Sequence, residues 1–93
     1  MAIQSFRCRD TEELFRTGVN QRFGNTARVA LRKLDYLNAA AMLSDLRAPP
    51  GNSLEALKRD RTGQHSIRIN DQWRICFLWT PAGPADVEIC DYH

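Results

Sequence analysis

The sequence predicts an α+β fold in which two to three N-terminal helices pack on a small antiparallel β-sheet. In the first half of the chain, apolar residues recur at intervals of three and four, as they do in helices. After residue 53, short apolar segments alternate with polar residues and are separated by turns. The 93 residues suffice for one modest core. We therefore expect a single domain over residues 1–93.

The start of the chain predicts a short strand followed by a first helix. Residues 3–6 have the composition of a short strand. Asp10 and Glu13 have the spacing of a capping box, in which the two side chains would satisfy free backbone N–H groups at the helix start. Gly18 is a typical glycine just beyond a helix C-terminus.

A second, longer helix follows, and Asn25 or Thr26 is its expected N-cap. Its apolar residues form one stripe at helical spacing, made of Ala27, Ala30, Leu31, Leu34, Leu37 and Ala41. Because the pattern weakens near Asn38, we expect a break and a short third helix before Leu46.

The second half of the chain predicts three antiparallel strands. Residues 65–69, 73–79 and 86–90 alternate or are rich in aromatic and branched side chains. Residues 70–72 and 80–84 have the composition of turns. Connections this short can join only antiparallel neighbours, so the strands form a meander.

Composition excludes several classes of protein. The cysteines Cys8, Cys76 and Cys90 are odd in number and lack CxxC spacing, which argues against a disulfide framework and for the reducing cytoplasm. With two histidines and no clustered ligands, we expect no metal and no cofactor. The apolar runs are too short to span a bilayer, so no membrane partner is expected. A net charge of +2 does not by itself indicate nucleic-acid binding.

Arg74 is the most informative single residue. Alternation along residues 73–79 places the aromatic side chains on one side of the strand and Arg74 on the other, between apolar neighbours. A guanidinium there costs desolvation energy unless it is paired or used. Two interpretations stay open: a salt bridge to Asp91 or Glu88 (or a strand-end position that reaches water), and a bidentate clamp on a phosphate.

The last three residues carry acid–base chemistry. Asp91, Tyr92 and His93 supply a carboxylate, a phenol and an imidazole directly after a predicted strand. An imidazole exchanges protons at cellular pH, and a tyrosine ring can stack on a base. Chain ends are usually frayed and inert, so an ordinary terminus is the alternative interpretation.

Basic residues upstream complete a candidate site. Lys58 and Arg61 belong to a short basic cluster before the first long hairpin, and we expect them to meet Arg74 and the C-terminus at one sheet edge. Cations plus acid–base groups without metal ligands suit cleavage of RNA, whose 2′-hydroxyl is an internal nucleophile. A solvated turn is the alternative for the basic cluster.

Three stretches of the chain together resemble a known family. They are residues 54–63, the hairpin from Gly63 to Phe77 with its Ser-Ile-Arg and Trp-Arg motifs, and the closing residues 87–93. This combination resembles the HigB toxins of the RelE/ParE superfamily, including their GraT-like branch. The resemblance covers nearly the whole chain and implies a RelE-like fold.

The resemblance implies the toxin of a type II toxin–antitoxin pair. Its members are metal-independent endoribonucleases that cut mRNA in the ribosomal A site. The implied partners are a HigA-like helix-turn-helix antitoxin, the ribosome and mRNA, with operator DNA bound only through the antitoxin. We assign the site accordingly: catalytic Arg74, His93, Tyr92, Asp91 and Lys58, and RNA-binding Arg61, Arg68 and Lys58.

One position departs from the family pattern. Some members carry a histidine where this chain has Glu55, three residues before Lys58. If that histidine shares the proton transfers in those members, then either His93 works alone here or Glu55 acts as a base.

Two other functions stay open at this point. The first is a ParE-like toxin on the same fold that blocks DNA gyrase, since fold alone does not fix function. The second is a non-enzymatic module whose basic surface binds an antitoxin or a nucleic acid. The terminal acid–base trio favours cleavage, because a gyrase binder has no need of it.

Overall fold

The structure, a computed structural model, describes residues 2–91. Two α-helices, α1 (Arg9–Thr17) and α2 (Ala27–Ala39), pack on one side of an antiparallel sheet. Its strands are β1 (Glu55–Ala56), β2 (Gln64–Arg68), β3 (Trp73–Thr80) and β4 (Gly83–Asp91), paired in that order. Short 3-10 helices lie at Gln21–Thr26, Leu43–Arg47, Pro50–Asn52 and Arg59–Arg61. The predicted α+β class is confirmed.

Helix α1 ends as predicted but begins differently. Gly18 adopts the left-handed conformation (φ 81°), and its N–H donates to the carbonyl of Leu14 at 2.8 Å. The predicted capping box is wrong, because the helix already begins after Cys8. The carboxylates of Asp10 and Glu13 instead both accept hydrogen bonds from Nδ2 of Asn20, at 3.1 and 3.0 Å.

Helix α2 supplies the apolar stripe. Ala30, Leu34 and Leu37 are fully buried against the sheet. Thr26 precedes the helix, although its side chain makes no capping hydrogen bond. The helix ends at Ala39, close to the predicted break, and the 3-10 helix that buries Leu46 takes the place of the expected third helix.

The sheet is bordered by two segments with little regular pairing. The segment predicted as a first strand runs beside β4, with one parallel bridge from Phe6 to Val87 and a further backbone hydrogen bond from Gln4 N–H to the carbonyl of Pro84 at 2.7 Å. This pairing is too limited to form a regular strand. At the opposite edge, β1 was not predicted. It pairs Glu55 with Ser66 and Ala56 with His65. Two residues are too short for an alternating pattern to be visible in a sequence.

The side of the sheet that faces the helices is the main core. Four side chains there are at most 1% exposed to solvent: Ile67, Ile75, Phe77 and Ile89. Trp73 and Trp79 pack against the same core from the ends of β3. The predicted alternation along β3 is thus confirmed on its apolar side. No helix within residues 2–91 is long and apolar enough to cross a membrane.

Candidate functional site

The side of the sheet away from the helices carries a polar surface that we call the open face. Residues paired directly across antiparallel strands share one side of a sheet, so the register assigns its members. One row runs Glu55, Ser66, Cys76 and Glu88, and the next runs Arg68, Arg74 and Cys90.

Arg74 is held on the open face by uncharged acceptors. Its Nε donates to Oγ of Ser66 at 2.7 Å, and its Nη2 donates to the carbonyl of Ser53 at 2.6 Å. Within residues 2–91 no carboxylate forms a salt bridge with it. The salt-bridge interpretation is therefore wrong. The guanidinium has a fixed orientation, and its charge remains available to an anion.

Arg68 lies directly opposite Arg74 on the neighbouring strand. Two like charges at such a position repel each other. Arg68 is paired with Asp71, whose side chain is 98% exposed, so water screens much of that interaction. A phosphate between the two guanidinium groups would relieve the repulsion and accept hydrogen bonds from both.

Lys33 is a further cation of this region, and it was not among the site residues predicted from the sequence. Its Nζ donates to Oδ1 of Asn52 at 2.6 Å, and the residue after Asn52 holds Arg74. Burial lowers the pKa of Lys33, and the nearby charges of Arg32 and Arg68 lower it further. Helical periodicity could not predict this interaction, because the partner of Lys33 lies in a loop that is distant in sequence.

Arg61 also reaches the open face but is already paired. Its Nη2 lies 3.0 Å from Oε1 of Glu88, and its Nη1 donates to Oε1 of Gln64 at 3.2 Å. Burial is the largest single influence and lowers the pKa of Arg61, but the hydrogen bond to Glu88 and the charges of Cys90, Cys76 and Glu88 together raise it above its ordinary value. Glu88 thus pairs with Arg61 and leaves Arg74 without a carboxylate.

Two cysteine thiols lie beside this ion pair. Cys76 is fully buried, and it and Cys90 were expected to be reduced core residues. They are free thiols on the open face, and Sγ of Cys90 donates to the carbonyl of Glu88 at 3.8 Å. The interaction between the two thiols lowers the pKa of Cys76 and raises the pKa of Cys90; burial opposes the first change and adds to the second.

Lys58 and Glu55 lie at the β1 edge of the open face. Lys58 precedes the 3-10 helix Arg59–Arg61 and is exposed. With Glu55, Ala56 and Arg59 it lines a concavity of about 540 Å³. Glu55 stands in the same row as the serine that binds Arg74.

Asp91 lies elsewhere in the structure. It pairs with Trp73, so alternation places it on the side of the helices, whereas Cys90 lies next to Arg74. Its Oδ2 accepts a hydrogen bond from Nε2 of Gln72 at 3.2 Å. Tyr92 and His93, the other members of the predicted trio, lie outside the described residues. The structure thus brings Arg61, Arg68 and Arg74 to one face and Lys58 to its edge.

The sequence profile of the HigB-like toxin family, described as a RelE-like toxin of a type II toxin–antitoxin system, matches residues 4–93. The chain belongs to this family. Over 48 residues it is 52% identical to Toxin HigB-1 of Vibrio cholerae, covering 52% of the chain and 50% of that protein. Over 55 residues it is 42% identical to an uncharacterized protein of Haemophilus influenzae, covering 59% and 54%. The chain thus spans about half the length of the curated relatives it matches.

Solved structures show the same fold. The YoeB–YefM complex of Staphylococcus aureus matches with a TM-score of 0.57 and 18% identity, covering 100% of this chain and 99% of the other. A YoeB/ParE toxin of Agrobacterium tumefaciens matches with a TM-score of 0.53 and 23% identity over the same shares. Membership in a RelE-like toxin family, with its fold, is confirmed.

Proposed function

We propose that this HigB-like toxin is an endoribonuclease that cuts mRNA in the ribosomal A site by attack of the RNA 2′-hydroxyl, without a metal. The observation that carries the proposal is Arg74, oriented by neutral acceptors opposite Arg68. A guanidinium held in a fixed orientation, with a second arginine directly across the strands, suits the charge that develops on a phosphate during cleavage.

The reaction balances within the RNA itself. A base removes the proton of the 2′-hydroxyl, the oxygen attacks the adjacent phosphorus, and the bond from phosphorus to the 5′-oxygen breaks. An acid protonates the leaving oxygen. The products are a 2′,3′-cyclic phosphate and a 5′-hydroxyl end. Arg74 and Arg68 hold the non-bridging oxygens through the transition state.

The proton transfers fall to the β1 edge and the C-terminus. We assign the base to Glu55, whose row on the sheet includes the serine bound to Arg74. His93 is the proposed acid, Tyr92 stacks on a base, and Asp91 positions the terminal segment. Asp91 is given a positioning role rather than a direct part in the reaction, because it lies at the end of β4 on the other side of the sheet from Arg74.

The remaining cations bind the RNA backbone. Lys58 is exposed beside Glu55 and is free to contact a phosphate near the reacting groups. Arg61 is assigned to the same surface, but its pairing with Glu88 should make its contribution smaller than that of Lys58 or Arg68.

The proposed partners follow from family membership. They are a HigA-like helix-turn-helix antitoxin, the ribosome and mRNA, with operator DNA bound only through the antitoxin, in the cytoplasm. The antitoxin partner is supported by the structural neighbour YoeB, which is found in a complex with YefM.

The test is cleavage in a reconstituted translation system with one defined mRNA. Wild-type protein should cut within codons, only when ribosomes translate, and leave 5′-hydroxyl ends. Arg68→Ala should cut more slowly, whereas Arg16→Ala, which removes an exposed arginine from α1, should cut normally. Intact mRNA would overturn the proposal, and loss of gyrase supercoiling with intact mRNA would favour the ParE-like alternative. Ends that carry a 5′-phosphate would exclude 2′-hydroxyl attack.

A further inference from the structure

A second concavity lies on the other side of the β1 edge. It measures about 420 Å³, within the range of about 300–1,000 Å³ usual for small-molecule sites. It lies between the 3-10 helix Leu43–Arg47 and the edge of the sheet. Its walls combine the apolar Leu43, Leu54 and Ala56 with the polar Ser44, Arg47, Glu55 and His65.

His65 has a polar atom whose burial the fold does not explain. Its ring stacks on Phe77, with 6.4 Å between centroids and 24° between planes. Its Nδ1 is buried, and residues 2–91 supply no hydrogen-bond partner for it. A buried polar atom without a partner costs free energy. A half-turn of the imidazole about its Cβ–Cγ bond would exchange this nitrogen with Cδ2 and preserve the stacking on Phe77.

The cavity adjoins the basic concavity at Lys58. Glu55 and Ala56 line both of them, so the two concavities lie on either side of β1. Lys58 and Arg59 line the basic concavity, and Arg47 lines the cavity. A strand of RNA that crosses the edge of the sheet at β1 would place phosphates at the cations and a base in the cavity.

We infer that the cavity between Leu43–Arg47 and β1 binds one nucleobase of the RNA and thereby sets the sequence preference of cleavage. Apolar side chains suit the faces of a flat ring. The edge of a base carries both donors and acceptors, and the wall of the cavity offers the hydroxyl of Ser44, the guanidinium of Arg47 and the imidazole of His65. The inference rests on the proposed function, because the base belongs to the RNA being cut.

The first test measures binding of single nucleotides by NMR. We expect at least one of the four 5′-nucleoside monophosphates to shift the resonances of His65, Leu54 and Ala56. Ribose 5-phosphate, which lacks a base, should leave those resonances unmoved. Ala56→Leu should abolish the shifts by filling the cavity, while the same change at the exposed turn residue Ala82 should preserve them.

Two outcomes of this titration would overturn the inference. One is that no monophosphate moves the three resonances, and the other is that ribose 5-phosphate moves them equally. Because a leucine in a two-residue strand can disturb its pairing with β2, His65→Phe provides a second variant. It keeps a ring on Phe77 but removes both nitrogens, and it should weaken the binding of the preferred nucleotide.

The second test compares the cut sites of wild type and His65→Phe on one mRNA. We expect the ratio of cutting at preferred and other codons to change by roughly tenfold, while cleavage itself continues. An unchanged ratio would contradict the inference. If the wild-type protein cuts no RNA at all, the proposed function fails, and the nucleotide titration still decides whether the cavity binds a base.

Discussion

Phe77 and Cys76 are neighbours on β3 and both are fully buried, but they face opposite sides of the sheet. Phe77 packs among apolar side chains beneath the helices. Cys76 lies on the open face, opposite Glu88 and beside the ion pair of Glu88 with Arg61. Equal burial therefore has different consequences: on the helix side it stabilises the fold, and on the open face it holds polar groups in fixed positions.

The open face also shows which of its charged side chains form ion pairs. Glu88 of β4 pairs with Arg61, whereas Arg74 of β3 donates to a hydroxyl and a carbonyl. A guanidinium held by neutral groups keeps its full positive charge. Among the described residues of this face, Arg61 is closed in an ion pair with Glu88, whereas Arg74 is held by neutral groups and is the cation best placed to bind a phosphate together with Arg68.

The largest effect should come from the helix side. Phe77→Ala should lower the free energy of unfolding by about 3–5 kcal/mol, because it removes apolar contacts and leaves a cavity. Urea denaturation followed by circular dichroism measures this. Leu78→Ala, at the next and more exposed position, should cost less than about 1 kcal/mol. Equal losses would contradict the division between the two sides.

On the open face, an alanine substitution should reduce activity rather than stability. Arg74→Ala should slow RNA cleavage by about 10²–10³-fold, because a donor to the transition state is lost. Its unfolding free energy should change less than that of Phe77→Ala. Arg74→Lys should recover only part of the rate, since an ammonium lacks the planar fork. Cleavage at the wild-type rate by folded Arg74→Ala would remove Arg74 from the site.

A smaller effect is expected at the closed ion pair. Glu88→Gln should lower the free energy of unfolding by about 1 kcal/mol, because the two side chains are only partly exposed. High salt should reduce the difference. Glu12→Gln is the matched control, since its pair with Arg16 is more exposed, and it should cost about 0.5 kcal/mol or less. A larger loss for Glu12→Gln would show that burial does not strengthen the inner pair.

The smallest effect concerns the two thiols and pH. The pKa of Cys76 is lowered and that of Cys90 is raised from the ordinary value of 9.0. Below pH 9.0 the unfolded chain keeps a Cys76 proton that the folded chain has lost, so the contribution of Cys76 to stability rises with pH. Above pH 9.0 the folded chain retains the Cys90 proton that the unfolded chain loses, so the contribution of Cys90 to stability falls.

This pH effect has a direct control. One proton changes the free energy of unfolding by at most about 1.4 kcal/mol per pH unit. Within about half a unit of pH 9.0 the free energy of unfolding should therefore change by less than about 1 kcal/mol. Urea unfolding with a reductant present, compared with the double variant Cys76→Ala and Cys90→Ala, isolates it. If the unfolding free energies of the wild type and the double variant depend on pH in the same way across this range, the coupling of the thiols is contradicted.

Local patterns predicted what depends on neighbouring residues. Alternation along β3 assigned the two sides of the sheet, and the position of Gly18 marked the end of α1. The capping box failed because Asn20, ten residues from Asp10, takes both carboxylates as acceptors. Strand β1 was missed because its two residues depend on pairing with β2 rather than on any pattern of their own.

The sequence by itself determined the α+β class, the antiparallel order of the strands, and the position of Arg74 on the side of β3 away from the aromatic residues. These follow from periodicity and from short turns, which act over a few residues. Only the tertiary structure decided that Arg74 is held by Ser66 and Ser53, that Glu88 pairs with Arg61, and that Asp91 lies on the other side. Such pairings join residues distant in the chain, and packing selects one partner among several that the sequence allows.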